Sequence, residues 1–174
     1  MDLSVFVNGH AQTAFQLFIA LSLGAVIGLQ RGWVSREQEA GARVAGIRTH
    51  TLTALTGCIS VLLSESISPW FLPAMLLVMA ALAISGYRTY AANHQNVSIT
   101  GVVGLLLTFC FGAMVAAGQT VIAAMAAVVT TIILDNKSEI HSALRKLREN
   151  ELDAALQLLL ISVVMLPLLP DKGF

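Results

Sequence analysis

The residue types best suited to chemistry are concentrated in one short run, Arg43–Thr51, where a basic loop enters an apolar segment. A basic, glycine-hinged loop at the start of a helix can hold an anion, because free N–H groups and the helix dipole favour negative charge. His50 could instead bind a metal ion through a ring nitrogen, with Asp135 as a carboxylate partner across the molecule. The candidate ion or anion site consists of Arg31, Arg43, Arg48, Thr49, His50 and Asp135, of which His50 and Asp135 are the metal-ligand candidates.

The arginines of this site also have a simpler interpretation, in which they fix the orientation of the chain in a membrane and contact lipid phosphates. From residue chemistry alone, this simpler interpretation is the stronger of the two. No Asp, Glu, Lys, Arg or His lies near the middle of any apolar segment. Since proton-coupled pumps usually carry such residues at mid-depth, the sequence does not predict a complete proton relay.

Glycines recur every fourth residue in the first apolar segment, at Gly24, Gly28 and Gly32. Small residues in a G-x-x-x-G spacing allow two transmembrane helices to approach closely. No strand precedes them, as a nucleotide-binding glycine loop would require. The glycines therefore predict helix packing rather than a cradle for a ligand.

A row of hydroxyl side chains follows one face of the second apolar segment at helical spacing. The row could line an ion path, but hydrogen bonds between helices, each worth roughly 0.6 to 2 kcal/mol, are the favoured interpretation. It consists of Thr49, Thr53, Thr56 and Ser60. The two cysteines, Cys58 and Cys110, do not have the spacing of a zinc site and are predicted to be buried free thiols.

Composition indicates the class of protein that must position these residues. The chain has 174 residues, of which 56% are hydrophobic and only 11% charged, whereas ordinary soluble domains are roughly 25% charged. A soluble chain of this length could not keep so much apolar surface from water, so we predict an integral membrane protein. The formal net charge is zero, which gives no reason to expect a nucleic-acid partner.

We predict an all-α fold, a polytopic membrane helical bundle with about six transmembrane helices in a single transmembrane domain, residues 1–174. The spans are predicted at about 13–30, 49–66, 69–91, 101–117, 119–134 and 152–169. Asn136 and Glu139 have the spacing of a capping box that opens one further helix, 137–149. Its apolar and basic residues occupy opposite faces, so this amphipathic helix is predicted to lie on the membrane surface.

The number of basic residues differs sharply between the loops on the two sides of the predicted membrane spans. Of the ten Lys and Arg residues, all but Lys172 fall on one side, in the loops or at the span ends that follow the first, third and fifth spans. Because cytoplasmic loops are enriched in Lys and Arg, this side is predicted to be cytoplasmic and both termini outside. We therefore expect a protein of a bacterial inner membrane, surrounded by the lipid bilayer, with its N-terminus in the periplasm.

Two motifs resemble those of a known family. The runs Leu23–Trp33 (LGAVIGLQRGW) and Ala45–Leu52 (AGIRTHTL) are similar to the signature of the MgtC/SapB family of bacterial membrane proteins. Three later runs, Leu105–Phe109, Leu147–Gln157 and Leu166–Asp171, resemble the branch whose members carry a second hydrophobic domain of unknown function. The likeness extends over nearly the whole chain.

The chain departs from the family pattern at two positions and at its end. Gln30 stands where the family often has an acid, and Thr100–Val103 stands where the branch often has another. Any cation-binding role of those acids in relatives does not transfer to this chain. Relatives of the branch continue well beyond the position of Phe174, so we expect the chain to correspond to their N-terminal half.

The resemblance implies work in divalent-cation homeostasis, linked to magnesium limitation and virulence, and members are described both as transporters and as regulators. Our first hypothesis is ion transport, with a divalent metal ion as substrate, no other cofactor and no enzymatic activity. Its site would lie at the cytoplasmic mouth between the first three spans. The alternative is a regulatory protein that moves no solute and binds a partner's helices through its glycines and surface helix. Expected partners are a second copy in a homodimer, a missing C-terminal half, or another membrane protein.

Overall fold

The computed structural model describes residues 3–34, 45–93, 99–136, 142 and 149–165. Within these ranges the chain forms six α-helices, the last of which continues into a π-helical turn, and no strand. The helices are α1 (Leu3–Val34), α2 (Ile47–Ser66), α3 (Phe71–Asn93), α4 (Thr100–Ala116), α5 (Thr120–Asp135) and α6 (Glu149–Leu160), and the π-helical turn is Ile161–Met165. The predicted all-α fold is confirmed.

The chain divides into two compact units, residues 1–135 and residues 136–174. Helices α1 to α5 form the first unit, and α6 with its π-helical turn belongs to the second. Apart from Ser142 and Glu149, the predicted surface helix 137–149 lies outside the described residues, as does the end of the predicted span 152–169.

Successive helices of the first unit run in opposite directions. Gln30, near the end of α1, bonds to Asp135 at the end of α5, whereas Gln16, in the first half of α1, donates to the carbonyl of Ala116 at the end of α4. The ends of α1 and α5 therefore meet the starts of α2 and α4. This end of the bundle is called the polar end, and it holds Gln30, Arg31, His50 and Asp135.

Helix α2 is the central helix of the first unit, in contact with α1, α3 and α4. It is also the most polar of the five, because hydroxyl and imidazole groups interrupt its apolar residues. One side of α2 is buried from its first turn to Val61, and the residues of that side are His50, Thr53, Ala54, Gly57, Cys58, Ser60 and Val61. A buried and partly polar helix must find partners for its side chains inside the bundle.

Two apolar clusters hold the other helices around α2. The larger cluster joins α1, α4 and α5 and contains Ile27, Phe111, Val115, Ala123 and Ala127. The smaller cluster joins α3 and α4 and contains Ala83, Val102 and Leu105. The α4–α5 connection is the tight hairpin that the sequence predicts, with Gly118 at a φ of 79°, a left-handed conformation that glycine adopts without strain.

Among the residues that the structure describes, two helices are long and apolar enough to cross a membrane, Gly9–Trp33 with a mean hydropathy of 1.7 and Phe71–Ala92 with 1.6. Only 6% of the most apolar stretch of the second is buried within the chain, so α3 is not the core helix of a soluble domain. Shorter apolar helices are Thr100–Ala116, Thr120–Asp135 and Asp153–Val163. Such broad apolar surfaces are typical of helices in a lipid environment.

Candidate functional site

The candidate site is built around His50, which lies in the first turn of α2 and has no solvent-exposed surface. Its Nδ1 atom is 2.9 Å from the hydroxyl oxygen of Thr108 on α4. The Thr108 hydroxyl in turn donates to the carbonyl oxygen of Gly104, one turn earlier in α4, at 2.7 Å. This His50–Thr108–Gly104 chain connects the polar starts of two helices.

The chain of bonds determines which ring nitrogen of His50 carries the proton. A threonine hydroxyl has one hydrogen, and that of Thr108 is given to the Gly104 carbonyl. The hydroxyl can therefore only accept from His50, so Nδ1 is the protonated donor. In the neutral imidazole this leaves Nε2 with a lone pair, and Nε2 is buried with no hydrogen-bond partner.

A second unpaired acceptor occurs at the same end of the bundle, in the side chain of Gln30. The amide nitrogen of Gln30 donates to Asp135 Oδ1 at 2.9 Å. Because an ionised carboxylate only accepts hydrogen bonds, the amide nitrogen must face Asp135 and the amide oxygen must face away. That oxygen, Oε1, is buried and has no hydrogen-bond partner.

The sequence predicts Asp135 as a carboxylate partner of His50, and the structure pairs it with Gln30 instead. His50 makes its hydrogen bond to Thr108 through Nδ1, and its Nε2 atom makes none, so the two metal-ligand candidates are not bonded to each other. No group of three His, Cys, Asp or Glu side chains suited to a metal ion occurs among the described residues.

Of the two candidate arginines that the structure describes, Arg31 and Arg48, Arg31 is the one that lies partly inside the bundle. Its side chain is half-buried at the end of α1 and passes close to the start of α4, with Nη2 3.6 Å from where a Cβ of Gly101 would stand. It also lies within electrostatic range of His50. A positive charge within electrostatic range of the His50 lone pair lowers the affinity of this position for a second cation.

The remaining members of the candidate set lie elsewhere. Arg48 and Thr49 are exposed on the first turn of α2, next to His50 in sequence but not inside the bundle. Arg43 lies outside the described residues. The structure thus brings together His50 and Arg31, and adjacent to them Asp135 through Gln30, but it does not bring Arg48 and Thr49 into that group.

The predicted packing glycines occupy two different environments. A Cβ at Gly24 would lie 2.6 Å from the His50 carbonyl oxygen, and one at Gly28 would lie 2.5 Å from the Ile47 Cα. These two glycines thus allow α1 to approach the backbone of α2 beside His50. Gly32 has no such neighbour within 4 Å.

A second close helix contact was not predicted from the sequence. A Cβ at Gly57 of α2 would overlap the backbone of Phe109 on α4, and a Cβ at Gly112 of α4 would overlap the backbone of Ala54 on α2. Each helix therefore contributes one glycine to the same crossing. The sequence did contain a sign of this contact, namely a glycine in the interior of each apolar helix. Such a glycine destabilises a helix by roughly 0.5–1 kcal/mol relative to alanine unless close packing compensates.

The hydroxyl row of α2 bonds differently from the favoured prediction. Thr56 donates to the carbonyl of Leu52 at 2.8 Å, and Ser60 donates to the carbonyl of Thr56 at 2.6 Å. Both bonds lie within α2, since a helical hydroxyl can reach the carbonyl four residues earlier. The side-chain hydrogen bond that joins α2 to α4 is instead the one between His50 and Thr108, a residue the sequence analysis did not select as a site residue.

Comparison with known proteins agrees with the resemblance noted in the sequence. No curated protein and no solved structure matched the chain. Residues 17–143 match the MgtC family, and this range contains α2 to α5 complete and the part of α1 that carries Gly24, Gly28 and Arg31. Since the match covers more than half of the chain, the protein belongs to the MgtC family, a family of membrane proteins linked to Mg²⁺ homeostasis.

Proposed function

We propose that this protein transports a divalent metal cation, and that the ion passes through the polar end of the bundle. The observation that carries the proposal is the buried His50, whose Nε2 has no hydrogen-bond partner. Buried polar groups are ordinarily paired, so an unpaired one in a membrane protein indicates a functional position.

The chemistry of the polar end supports a cation rather than an anion as the substrate. The two unpaired atoms, His50 Nε2 and Gln30 Oε1, are both acceptors. An anion would need donors at these positions. Arg31 supplies a positive charge nearby, which would keep the binding of a cation weak and reversible, as passage through a transporter requires.

The regulatory alternative is less well supported at one of its two proposed contact surfaces. In that hypothesis the glycines of α1 bind a helix of a partner protein. Gly24 and Gly28 instead face the backbone of α2 within the same chain, so the surface is already occupied at these two positions, whereas Gly32 has no neighbour within 4 Å of a new Cβ. The other proposed surface, the helix 137–149, lies outside the described residues apart from two positions.

The proposed setting follows the distribution of basic residues. We propose that the polar end faces the cytoplasm of a bacterium, that the protein lies in the inner membrane with its N-terminus in the periplasm, and that it is not an enzyme. The support is that Arg31, Arg48 and Arg88 all lie at this end of the described helices.

Flux measurements in proteoliposomes test the proposal. The purified chain would be reconstituted and supplied in turn with Mg²⁺, Mn²⁺, Co²⁺ and Zn²⁺. We expect uptake of at least one ion and its loss in His50→Gln. Gln16→Leu is the matched control, because it also removes one hydrogen bond between helices, but at the opposite end of the bundle. No flux of any ion, or equal flux in His50→Gln and wild type, would contradict the proposal.

A further inference from the structure

We infer that His50 Nε2 and Gln30 Oε1 are two protein ligands of a divalent ion of the Zn²⁺ type, oriented by Thr108 and Asp135. The inference rests on the proposed function for the presence of a divalent cation, and it adds the ligand atoms and the class of metal. Two observations carry it, the unpaired buried Nε2 and the unpaired buried Oε1.

The first ligand has the surroundings of a metal-binding histidine. Such a histidine donates its other ring N–H to a neighbouring acceptor, which fixes the ring and leaves the remaining nitrogen for the metal. His50 does this through Thr108, whose hydroxyl is itself fixed by the Gly104 carbonyl. Thr108 is therefore a positioning residue, since it acts on the metal only through His50.

The second ligand is oriented by the same kind of contact. Asp135 accepts from the Gln30 amide nitrogen and so turns Oε1 inward, where it is buried. Gln30 lies at the same level of the bundle as His50, because a Cβ at Gly28, two residues before Gln30, would lie 3.1 Å from the His50 Cβ. Arg31, the residue after Gln30, is within electrostatic range of His50. Both acceptors therefore belong to one region of the bundle.

The ligand atoms decide the class of metal. Mg²⁺ and Ca²⁺ prefer oxygen ligands, whereas imidazole nitrogen suits Zn²⁺ and its neighbours among the transition metals. One nitrogen and one amide oxygen favour Zn²⁺ over Mg²⁺. Because the described residues contain no cluster of three metal-ligating side chains, water would complete the coordination, and the ion would remain exchangeable.

Calorimetric titration of the full chain in nanodiscs of phosphatidylcholine, a lipid without net charge, tests the inference with ZnCl₂ and MgCl₂ as the probes. We expect Zn²⁺ to bind at least tenfold more tightly than Mg²⁺. Thr108→Val should weaken Zn²⁺ binding by about tenfold, at the low end of the effects seen when such orienting partners are removed. Thr131→Val is the matched control, because Thr131 makes the same 2.7 Å bond to the carbonyl four residues earlier, that of Ala127.

A further variant separates loss of the ligand from loss of the fold. In His50→Asn the amide nitrogen can replace Nδ1 as the donor to Thr108, but no atom occupies the place of Nε2. The expected result is normal insertion and thermal stability with Zn²⁺ binding at least tenfold weaker. Gln30→Leu should also weaken Zn²⁺ binding.

Three results would overturn the inference: no Zn²⁺ binding to the wild type, equal binding in His50→Asn, or equal effects of Thr108→Val and Thr131→Val. These results are independent of the flux experiment. Flux of Mg²⁺ without Zn²⁺ binding would leave transport in place and remove the zinc-type site. Zn²⁺ binding that depends on His50, without flux of any ion, would leave the site and remove transport.

Discussion

Gln30 and Asp135, 105 positions apart in the chain, are joined by a 2.9 Å hydrogen bond that connects the ends of α1 and α5. Gln30 is also one of the positions at which the chain differs from the family pattern noted in its sequence, since that pattern often has an acid there. The bond gives a physical consequence of that departure. An amide can donate to Asp135, whereas an ionised carboxylate at the same position could only repel it.

Gln30→Glu should therefore destabilise the bundle at neutral pH in the absence of metal. Two carboxylates would face each other at the contact that now holds a hydrogen bond, and repulsion together with the lost bond should cost on the order of 1–3 kcal/mol. A divalent cation would bridge the two carboxylates and restore stability. Thermal unfolding with EDTA, and then with excess Mg²⁺, measures both effects. A variant as stable as wild type in EDTA would contradict the role given to this bond.

The close contact at the α2–α4 crossing leads to a prediction about the stability of the folded protein alone. Gly112→Ala would place a methyl group into the backbone of Ala54, and we expect a loss of about 3 kcal/mol, at the upper end of overpacking effects. Gly86→Ala is the control, because Gly86 is exposed on α3 with no neighbour within 4 Å of a new Cβ. Alanine favours the helix at that position, so the control should be neutral or slightly more stable. Equal thermal stabilities of the two variants would contradict the close contact.

Orientation in the membrane is tested by labelling single cysteines from the periplasmic side of intact cells. Ser66→Cys and Ser142→Cys are suitable because both serines are exposed, and the background would lack Cys58 and Cys110. We expect an impermeant thiol reagent to modify position 66 and not position 142. The reverse pattern would place the polar end outside the cytoplasm and contradict the proposed path of the ion.

The sequence was sufficient to predict the helices, and it also drew attention to His50, because both depend on local information. Hydropathy and turn residues mark the helices, and His50 is conspicuous as a titratable residue at the entrance to an apolar segment. The pairing of side chains was not predictable in this way. Thr108 lies 58 positions from His50 on another helix, and a single threonine in an apolar helix gives no sign of what it contacts.

The selection of arginines shows the same limit. The sequence does not distinguish Arg31, Arg43 and Arg48, since each counts equally as a basic residue on the cytoplasmic side. In the structure, however, neighbouring positions of a helix point in different directions around its axis. Arg48 therefore lies on the exposed side of α2, although it is only two residues from the buried His50. Arg31 faces α4 and is half-buried, because it follows the glycines that bring α1 against the bundle.

Arg48→Lys should accordingly leave function unchanged. The side chain is exposed, so a lysine preserves the only property that the structure requires of it, a positive charge at the start of α2. Growth of a complemented strain under divalent-ion limitation, compared with the same strain carrying the wild type, measures the effect. A severe defect in a normally inserted Arg48→Lys protein would show that the guanidinium itself binds a specific group.

Arg31 should oppose the binding of a cation at His50, and its removal should strengthen that binding. Arg31→Gln takes away a charge within electrostatic range of the ring, and we expect Zn²⁺ to bind on the order of tenfold more tightly, a change of about 1.4 kcal/mol. Arg48→Gln is the control, because it removes the same charge from an exposed position, where solvent and salt screen it.

The comparison of these two variants separates a local effect from one of net charge. If the gain in Zn²⁺ affinity is a local effect, Arg31→Gln tightens Zn²⁺ binding and Arg48→Gln does not. The difference between the two variants then persists at high salt, because partly buried charges are screened less. Labelling of a cysteine at position 142 in each variant checks that the loss of an arginine has not reversed the orientation of the chain. Weaker Zn²⁺ binding in a correctly inserted Arg31→Gln protein would show that Arg31 supports the site rather than opposing it.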